Sequence, residues 1–550
     1  MWICIRYAAT GWPRAGIYLD NVIDAAIFLL PRIFFGKTMR TPIGYSALIE
    51  RYRLPALPLG QYALLDTAIK GRRHQQQGGQ WQELFEPNYS PEDTLAGHLH
   101  FALRYEGVNL QVLALLFAQA GRDELCTWLQ ASPESRYART ACFLYEWLTA
   151  QTLPIEDPVP ARARYELAAN PVLQLTSPLV VREGRFRIQN NLLGSREFCP
   201  LVRYTTYLQG MMAQDLRRWA AQTLARYDQD LLRRAAAWLY LKETQSSFEV
   251  EREKPSPQRA QRFADLLRHA DTHNPLTEER LVELQNAVVD PRFHEFTWRA
   301  NQNWVGKDHG YRKQIDLVPP KPADVPALMH GLLGLAATYR DTGDGGIMNA
   351  PDPVLVAAVI AYGFVFIHPF EDGNGRIHRY LIHDVLAKAG FTPRGIVLPV
   401  SAVILANLEE YIESLEQFSR PLNRRTDYNP DVPHVPATGN DKLYFQYPDL
   451  TAQAEFLYKA LERTISHDLQ QEIDYLLGFD RASTALNSLL DWPAHSMELF
   501  IRVVRDNDGT LSANKRKSHF SWMQDDEVAL AENAVQAAFS DETKSRSSRI

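Results

Sequence analysis

The feature that most constrains the fold is an apolar run that stops at a turn containing two glycines. Residues 354–367 are almost entirely apolar, and the sequence HPFEDGNGRIHR follows at 368–379. The run predicts an apolar helix that places His368 at its end. We predict that the next helix begins at about Asn374. The chain must therefore fold so that two helices meet at this turn.

The turn has the properties of a site for phosphate. Gly373 and Gly375 flank Asn374 and allow successive backbone N–H groups to point inward and surround an anion. The N-terminus of the next helix adds its own N–H groups and its dipole. Arg376 and Arg379 are three residues apart and share one helix face. Together these groups can bind several phosphate oxygens.

Two residues of the same turn add catalytic chemistry. Asp372 offers the oxygen ligands that Mg²⁺ prefers, and His368 is suited to act as a general base near neutral pH. A purely structural interpretation, with a capping histidine, a turn aspartate and surface ion pairs, explains any single residue. It does not explain the twelve residues together.

The rest of the chain is predicted to be mostly α-helical with a small β element. Gly306 and Gly310 indicate a β-hairpin between Val305 and Pro320. We divide the chain into a mixed, partly helical N-terminal region (39–205), a central core (206–425) and a helical C-terminal region (426–550). Residues 1–38 are interpreted as an extension upstream of the true start. Helical patterns cover 94–150, 208–242, 258–270, 277–288, 324–340, 401–417 and 450–478.

The amino-acid composition indicates which classes of partner and which compartment to expect. The 550 residues carry 59 basic and 65 acidic side chains, a net charge of −6, so a nucleic-acid partner is not expected. The four cysteines have no CxxC spacing, which favours a reducing cytoplasm over a disulfide framework. The apolar stretch near the start is far shorter than the roughly 20 residues that cross a bilayer. We expect a cytoplasmic protein without a membrane partner, and the sequence indicates no oligomeric state.

The motif resembles that of a known family. HPFEDGNGRIHR matches the pattern HPFxDGNGRxxR of Fic-domain (Fido) proteins at every fixed position. The segments RANQNWVG at 299–306 and VPPKPADVPALM at 318–329 are similar to the region around the Fic flap. The resemblance covers about 230–425. It implies a multi-helix Fic core with a small β-hairpin flap at 306–318, whose open edge pairs with an extended target segment.

The resemblance implies Mg²⁺-dependent transfer of AMP from ATP to Ser, Thr or Tyr hydroxyls of target proteins, with auto-modification included. In this interpretation His368 takes the hydroxyl proton and Asp372 holds Mg²⁺. Arg379 reaches the γ-phosphate. The resemblance assigns the phosphates of ATP to Gly373, Asn374, Gly375, Arg376 and Arg379. The absence of a GxxxxGK[ST] sequence leaves no competing P-loop.

A regulatory segment is also implied. Many Fic proteins carry an inhibitory helix with the pattern [S/T]xxxE[G/N], and SFEVER at 247–252 fits its first five positions, with Ser247 opening the pattern. Arg252 departs from the sixth. The resemblance implies that Glu251 pairs with Arg379, as in the N-terminally inhibited class. The alternative is that Glu251 is one solvated acid in a charged run. Tyr411 is either part of the adenine pocket or a core tyrosine.

Several functions stay open at this point. In some family members the inhibitory glutamate orients water for removal of AMP, which would make the chain a deAMPylating phosphodiesterase. Transfer of another nucleotide, such as UMP, is a second alternative, because the phosphate loop does not specify the base. A regulator that binds targets without catalysis is the third.

Overall fold

A computed structural model describes residues 40–77, 80–156, 158–270, 275–340, 351–432 and 435–547. The predicted extension at 1–38 lies outside these residues. The chain forms two compact units, the first comprising the described residues up to Ala213, Phe248–Gly390 and Asn407–Tyr458. The second comprises Gln214–Ser247, Phe391–Ala406 and the described residues from Lys459 onwards. The boundaries proposed near 205 and 425 remain predictions. The mostly helical fold class is confirmed.

The N-terminal part of the first unit contains a four-stranded sheet that the sequence did not predict. Its strands have the order β1-β2-β4-β3, with β2 and β4 parallel and the other pairs antiparallel. The strand β3 reads RRHQQQ, without an apolar residue, so it lacks the alternation that marks a half-buried strand. The bounds are β1 Arg40–Pro42, α1 Gly44–Tyr52, β2 Gln61–Asp66, β3 Arg72–Gln77 and β4 Gln80–Phe85.

Helices follow this sheet, as the apolar spacing at 94–150 predicts. A second sheet, with three short strands in the order β5-β7-β6, comes after them. The bounds are α2 Leu95–Tyr105, α3 Leu110–Phe117, α4 Arg122–Ala131, α5 Arg136–Thr149, β5 Glu166–Leu167, β6 Val181–Glu183, β7 Ile188–Asn190 and α6 Thr206–Met212.

The segment predicted as one helical block at 208–242 contains parts of three helices, and helices 258–270 and 277–288 are confirmed within a few residues. The bounds are α7 Leu216–Leu224, α8 Gln229–Val250, α9 Pro257–Arg268, α10 Glu278–Val288, β8 Val305–Asp308, β9 Lys313–Leu317, α11 Val325–Arg340, α12 Pro353–Ile367, α13 Asn374–Lys388, α14 Val400–Ala406, α15 Leu408–Asn423 and α16 Lys442–Gln446.

The two helices around the motif form as predicted. Every residue of α12 after Pro353 is buried, and α13 packs against α12. α13 begins at Asn374, and Gly390 follows its end with φ of 60°, the left-handed conformation that glycine adopts without steric cost. The motif is therefore the connection between two packed core helices.

The predicted hairpin is confirmed. β8 and β9 are antiparallel, and their turn is closed by a bond of 3.0 Å from the His309 N–H to the Arg312 carbonyl. Asn423 of α15 fixes β9, because its amide donates to the Asp316 carbonyl at 2.7 Å and accepts from the Val318 N–H at 3.2 Å. The flap is thus attached along one strand.

The second unit is helical and has a core of its own, which includes Phe500, Ile501, Val504 and Phe520. Its C-terminal helices are separated from the preceding helix by a π-helical turn at Thr464–Asp468. Among the described residues, none of the helices combines the length and the apolar character needed to cross a membrane. The remaining bounds are α17 Thr451–Arg463, α18 Leu469–Leu489, α19 Ala494–Asp506, α20 Ala513–His519 and α21 Asp525–Ser547.

Candidate active site

His368 terminates α12 and is held in one orientation. Its backbone has φ of 52°, and its N–H donates to the Phe364 carbonyl at 2.9 Å. The ring Nδ1 lies 3.1 Å from the Val365 carbonyl. Since a carbonyl only accepts, Nδ1 carries the hydrogen in this contact and Nε2 keeps its lone pair. The residue is 2% exposed.

Burial sets the protonation state of this histidine. Desolvation lowers the pKa of His368 to about 3, the Val365 carbonyl opposes the shift, and the charge of Arg299 reinforces it. At neutral pH the ring is therefore uncharged. An uncharged imidazole whose Nε2 carries no hydrogen is able to accept a proton, which is what a general base requires.

The loop after His368 is closed by Asn374. Its side-chain oxygen accepts from the Phe370 N–H at 3.1 Å, and its amide donates to the Phe370 carbonyl at 2.7 Å. The Phe370 ring is buried and lies 5.3 Å from that of Trp298. Asn374 thus shapes the loop with its side chain, and its backbone N–H remains at the start of α13.

Gln285 and Glu295 contact the loop from neighbouring segments, and no pattern in the sequence indicates either residue. The Gln285 amide donates to the Phe293 carbonyl at 2.9 Å and the Glu295 carboxylate at 3.2 Å. That carboxylate accepts from the Glu371 N–H at 2.9 Å. Burial raises the pKa of Glu295 to about 7, with this N–H opposing the shift. Gln285 also lies 3.4 Å from the Asp372 carbonyl.

Arg299 connects the segment before the flap to the end of α12. Its guanidinium donates to the carbonyls of His368 at 2.9 Å, Asn301 at 2.8 Å and Pro320 at 2.5 Å. Burial lowers the pKa of Arg299 to about 10, so it stays charged at neutral pH. The sequence pattern includes Arg299 but does not indicate this anchoring role.

The N-terminus of α13 has room for an anion, and a carboxylate fills it. A Cβ added to Gly375 would lie 2.1 Å from Oε1 of Glu251, so only glycine leaves this space. Gly373 has φ of 92° and caps α13 without a side-chain hydrogen bond. The first N–H groups of a helix attract negative charge. The site therefore favours an anion on geometric and electrostatic grounds.

Arg379 is bound to Glu251, as the resemblance implied. Its Nη2 lies 2.9 Å from Oε1 of Glu251, and the arginine is 1% exposed. The Tyr411 hydroxyl also makes a hydrogen bond with Arg379, and burial raises the pKa of Tyr411 to about 12. Ser247 is buried on α8, four residues before Glu251.

Arg376 is surrounded by oxygen atoms. Its guanidinium lies 2.7 Å from Asp372, 2.6 Å from Glu253 and 2.9 Å from the Val288 carbonyl. Glu253 also lies 2.7 Å from Arg259. Glu253 and Arg259 could not be predicted from the sequence, because no local pattern identifies them and Arg376 is far away in the chain.

Asp372 fits a magnesium ion that is shared with phosphate. One carboxylate oxygen accepts from the Gly373 N–H at 2.7 Å and from Arg376. Among the described residues, no group of three or more His, Cys, Asp or Glu side chains is arranged to hold a metal. Mg²⁺ is commonly held by one or two carboxylates together with substrate phosphates. This donor set fits an ion that arrives with a polyphosphate.

Comparison with known proteins agrees with this geometry. Residues 275–386 match the Fic/DOC family. The predicted Fic resemblance is confirmed for this segment, which contains the flap and the complete motif. Relatives named "Protein adenylyltransferase Fic" include one from Drosophila willistoni, 34% identical over 127 residues, and one from Culex quinquefasciatus, 38% identical over 121 residues. The chain spans only about a fifth of their length, 22% and 21%.

Two solved Fic structures resemble larger parts of the chain. A Fic domain containing signaling protein from Bacteroides thetaiotaomicron covers 48% of this chain and 96% of its own, with 21% identity and a TM-score of 0.33. A Fic family protein from Desulfovibrio desulfuricans covers 60% and 87%, with 18% identity and a TM-score of 0.33. The Fic assignment rests on residues 275–386, which exclude Glu251 and Tyr411.

Proposed function

We propose that this chain is a protein adenylyltransferase that moves AMP from ATP to Ser, Thr or Tyr hydroxyls of target proteins. The observation that carries the proposal is the uncharged His368 at the end of α12, followed by a loop and two arginines of α13, within the segment that matches the Fic/DOC family. The name of the relatives, protein adenylyltransferase, supports the same reaction.

The reaction follows from the residues of the loop. A target hydroxyl oxygen attacks the α-phosphorus of ATP, and its proton passes to Nε2 of His368. The bond from the α-phosphorus to the bridging oxygen breaks, and pyrophosphate leaves. A positioned general base contributes typically about 10²–10⁴-fold to such a step.

The phosphates are proposed to bind where the carboxylates now lie. The backbone N–H groups at Gly373, Asn374 and Gly375 face an anion at the start of α13, and Arg376 and Arg379 supply positive charge. Asp372 would hold Mg²⁺ with the phosphate oxygens, and the ion would supply charge neutralisation there.

The activity is proposed to be autoinhibited. Glu251 occupies the guanidinium of Arg379 at 2.9 Å, and Gly375 leaves the space for its carboxylate. A phosphate that needs the same arginine must displace Glu251. Ser247 is proposed to fix the helix that carries it, and Tyr411 to border the adenine pocket beside Arg379.

Further parts of the proposal concern the target and the compartment. The flap is proposed to bind an extended segment of the target along its open edge, and the chain to modify its own hydroxyls as well. We place the reaction in the cytoplasm, because Cys126, Cys142 and Cys199 are free thiols and unpaired cysteines are typical of reducing compartments.

One alternative reaction has an observation in its favour. Glu251 lies within the phosphate site with its side chain partly accessible, where a carboxylate is able to orient water toward an AMP ester. The same site would then remove AMP from a modified protein. The two reactions are distinguished by the protein mass, because hydrolysis removes AMP from a modified protein and transfer adds AMP to an unmodified one.

Intact-protein mass spectrometry tests the proposal. Purified wild type, Glu251→Gly and Glu251→Gly/His368→Ala are incubated with ATP and Mg²⁺. We expect the mass of one or more AMP groups to be added in Glu251→Gly and none in the double variant. Glu249→Gly is the matched control, because Glu249 is exposed and lies two residues before Glu251, and it should behave as wild type.

The contrary outcomes are also defined. Addition of UMP from UTP, but not of AMP, would assign a different nucleotide. Loss of AMP from a pre-modified protein, dependent on Glu251, would assign the hydrolase. Equal addition of AMP to all variants would show that His368 takes no part in the reaction.

A further inference from the structure

Two buried arginines from different helices converge on one carboxylate beside the motif. Nη1 of Arg259, on α9, lies 2.7 Å from Oε1 of Glu253, and Nη1 of Arg376, on α13, lies 2.6 Å from Oε2. Both guanidiniums also donate to the carbonyl of Val288, at 2.8 Å and 2.9 Å. Arg259 is 8% exposed and Arg376 is 3% exposed.

The hydrogen-bonding capacity of this arginine pair is not filled by Glu253. Within the described part of the chain, Nε of Arg259 and Nε of Arg376 are both buried without a hydrogen-bond acceptor. A buried donor without an acceptor is costly. A carboxylate offers two oxygens, whereas a terminal phosphate offers three, so a larger anion would satisfy the pair better.

The aromatic ring and the carboxylate that contact the two guanidiniums come from one short turn of the chain. The ring of Phe248 lies 5.2 Å from the Arg259 guanidinium and 5.4 Å from that of Arg376. The Glu253 N–H donates to the Phe248 carbonyl at 3.0 Å, so the aromatic ring and the carboxylate belong to the same hydrogen-bonded turn. Displacement of this turn removes both contacts together and leaves Arg259 without its carboxylate, beside Arg376, which keeps Asp372 as a partner.

We propose that Arg259 and Arg376 form a binding site for the polyphosphate of a nucleotide, and that Glu253 is its internal, competing anion. The inference rests on the proposed function, because it assumes that ATP binds at this loop. It adds Arg259 as a phosphate-binding residue and Glu253 as a second inhibitory carboxylate. Glu253 acts on Arg376, whereas Glu251 acts on Arg379.

The charges favour this exchange. When Glu253 is displaced, Asp372 still compensates Arg376, and the negative charge of a polyphosphate takes the place of Glu253 beside Arg259. Guanidinium groups bind phosphate oxygens through paired N–H donors. The two inhibitory carboxylates are two residues apart, so a nucleotide that enters must displace both from the same turn.

Equilibrium binding of ATP with Mg²⁺ tests the site. All variants carry Glu251→Gly, so that Glu251 does not compete for Arg379 in any sample. Glu253→Gln keeps the size of the side chain and removes its charge. We expect it to tighten ATP binding by about tenfold, which corresponds to about 1.4 kcal/mol, because the neutral amide competes less well for the two guanidiniums. Adenosine, which has no phosphate, should bind all variants equally.

Arg259 is tested in the same background. Adding Arg259→Gln to Glu253→Gln should reverse the gain in ATP affinity and leave adenosine binding unchanged. Arg262→Gln is the matched control, because Arg262 is exposed on the same helix. Each variant is first checked by thermal melting. If Glu253→Gln does not fold, hydrogen exchange of residues 248–254 with and without ATP replaces it, and faster exchange with ATP is expected.

The outcomes separate this inference from the proposed function. If neither Glu253→Gln nor the added Arg259→Gln changes the affinity for ATP relative to Glu251→Gly alone, the arginine site is overturned. The transferase proposal stays intact in that case. Exchange at 248–254 that ATP does not accelerate would overturn it equally. An absence of ATP binding in every variant would contradict nucleotide binding at this loop, and with it both proposals.

Discussion

At the residue scale, the site depends on burial that fixes the charge of each group. His368 is uncharged because its surroundings exclude water. The two arginines of α13 are each matched with a carboxylate, Arg379 with Glu251 and Arg376 with Asp372 and Glu253. In this arrangement an anionic substrate binds the arginines by displacing their carboxylates, and His368 stays uncharged.

Acid sensitivity follows from a second buried histidine. Burial lowers the pKa of His378 to about 3, with the Ala361 carbonyl opposing the shift. The usual pKa is about 6.5. Because the folded state binds the proton more weakly, the stabilisation is complete above pH 6.5 and is lost as the pH falls toward 3. The free energy of unfolding should fall by up to about 1.4 kcal/mol per pH unit for this group.

His378→Phe tests this sign, since the ring packs at 4.7 Å against Tyr362 and an apolar ring suits that position. Denaturant unfolding between pH 8 and pH 4 should show a shallower loss of stability in this variant than in wild type. The control His330→Gln, at an exposed position on α11, should keep the wild-type slope. A slope unchanged by His378→Phe would show that the buried ring does not take up the proton on unfolding.

Site residues that are close together in the sequence could be predicted. Those whose contacts join distant parts of the chain could not. The motif places His368, Asp372 and Arg376 within nine residues, so its chemistry is visible in the sequence. Glu253 lies 123 residues from Arg376. In the sequence it is one of several acids in a charged run, and only the fold shows which cation it faces.

At the element scale, the end of α8 determines where the two carboxylates lie. The Glu253 N–H donates to the Phe248 carbonyl at 3.0 Å, and the Arg252 N–H donates to the Glu249 carbonyl at 2.8 Å. These two bonds define a Schellman motif, whose C′ residue adopts a left-handed conformation. Arg252 occupies this position with φ of 56°. The Gly or Asn of the inhibitory pattern fits here because both tolerate that conformation.

Arg252→Gly should therefore strengthen the turn. A left-handed conformation costs an ordinary residue about 1–2 kcal/mol, which glycine avoids. We expect a gain in stability of about 1 kcal/mol in denaturant unfolding and lower basal AMP transfer. Arg252→Ala retains the Cβ and serves as the matched control. A gain of equal size in the alanine variant would attribute the effect to loss of the arginine side chain.

Elements with strong periodicity were predicted, and those with weak or irregular patterns were not. The apolar run correctly predicted the helix α12, and the glycines of the flap correctly predicted the β8–β9 hairpin. The helix predicted over 450–478 is interrupted by the π-helical turn at Thr464–Asp468, which the apolar spacing does not reveal. The mixed sheet formed by β1–β4 depends on the pairing of β2 with β4, which are not neighbours in sequence, so local patterns could not identify it.

At the scale of the whole molecule, the proposed chemistry belongs to the first unit. The flap, the motif, Glu251 and Glu253 all lie within Phe248–Gly390 of that unit. The matched segment, 275–386, contains the groups proposed for transfer, and the turn that carries the inhibitory carboxylates precedes it. Activity and its control are therefore encoded in adjacent stretches of one chain.

Label transfer from ATP measures the central claim most directly. Glu251→Gly is incubated with Mg²⁺ and ATP labelled either at the α-phosphate or at the γ-phosphate, beside wild type and Glu251→Gly/His368→Ala. We predict that the α-label becomes attached to protein in Glu251→Gly, more weakly in wild type and not in the double variant, and that the γ-label is never attached. Attachment of the γ-label, or of the α-label without His368, would contradict AMP transfer by this site.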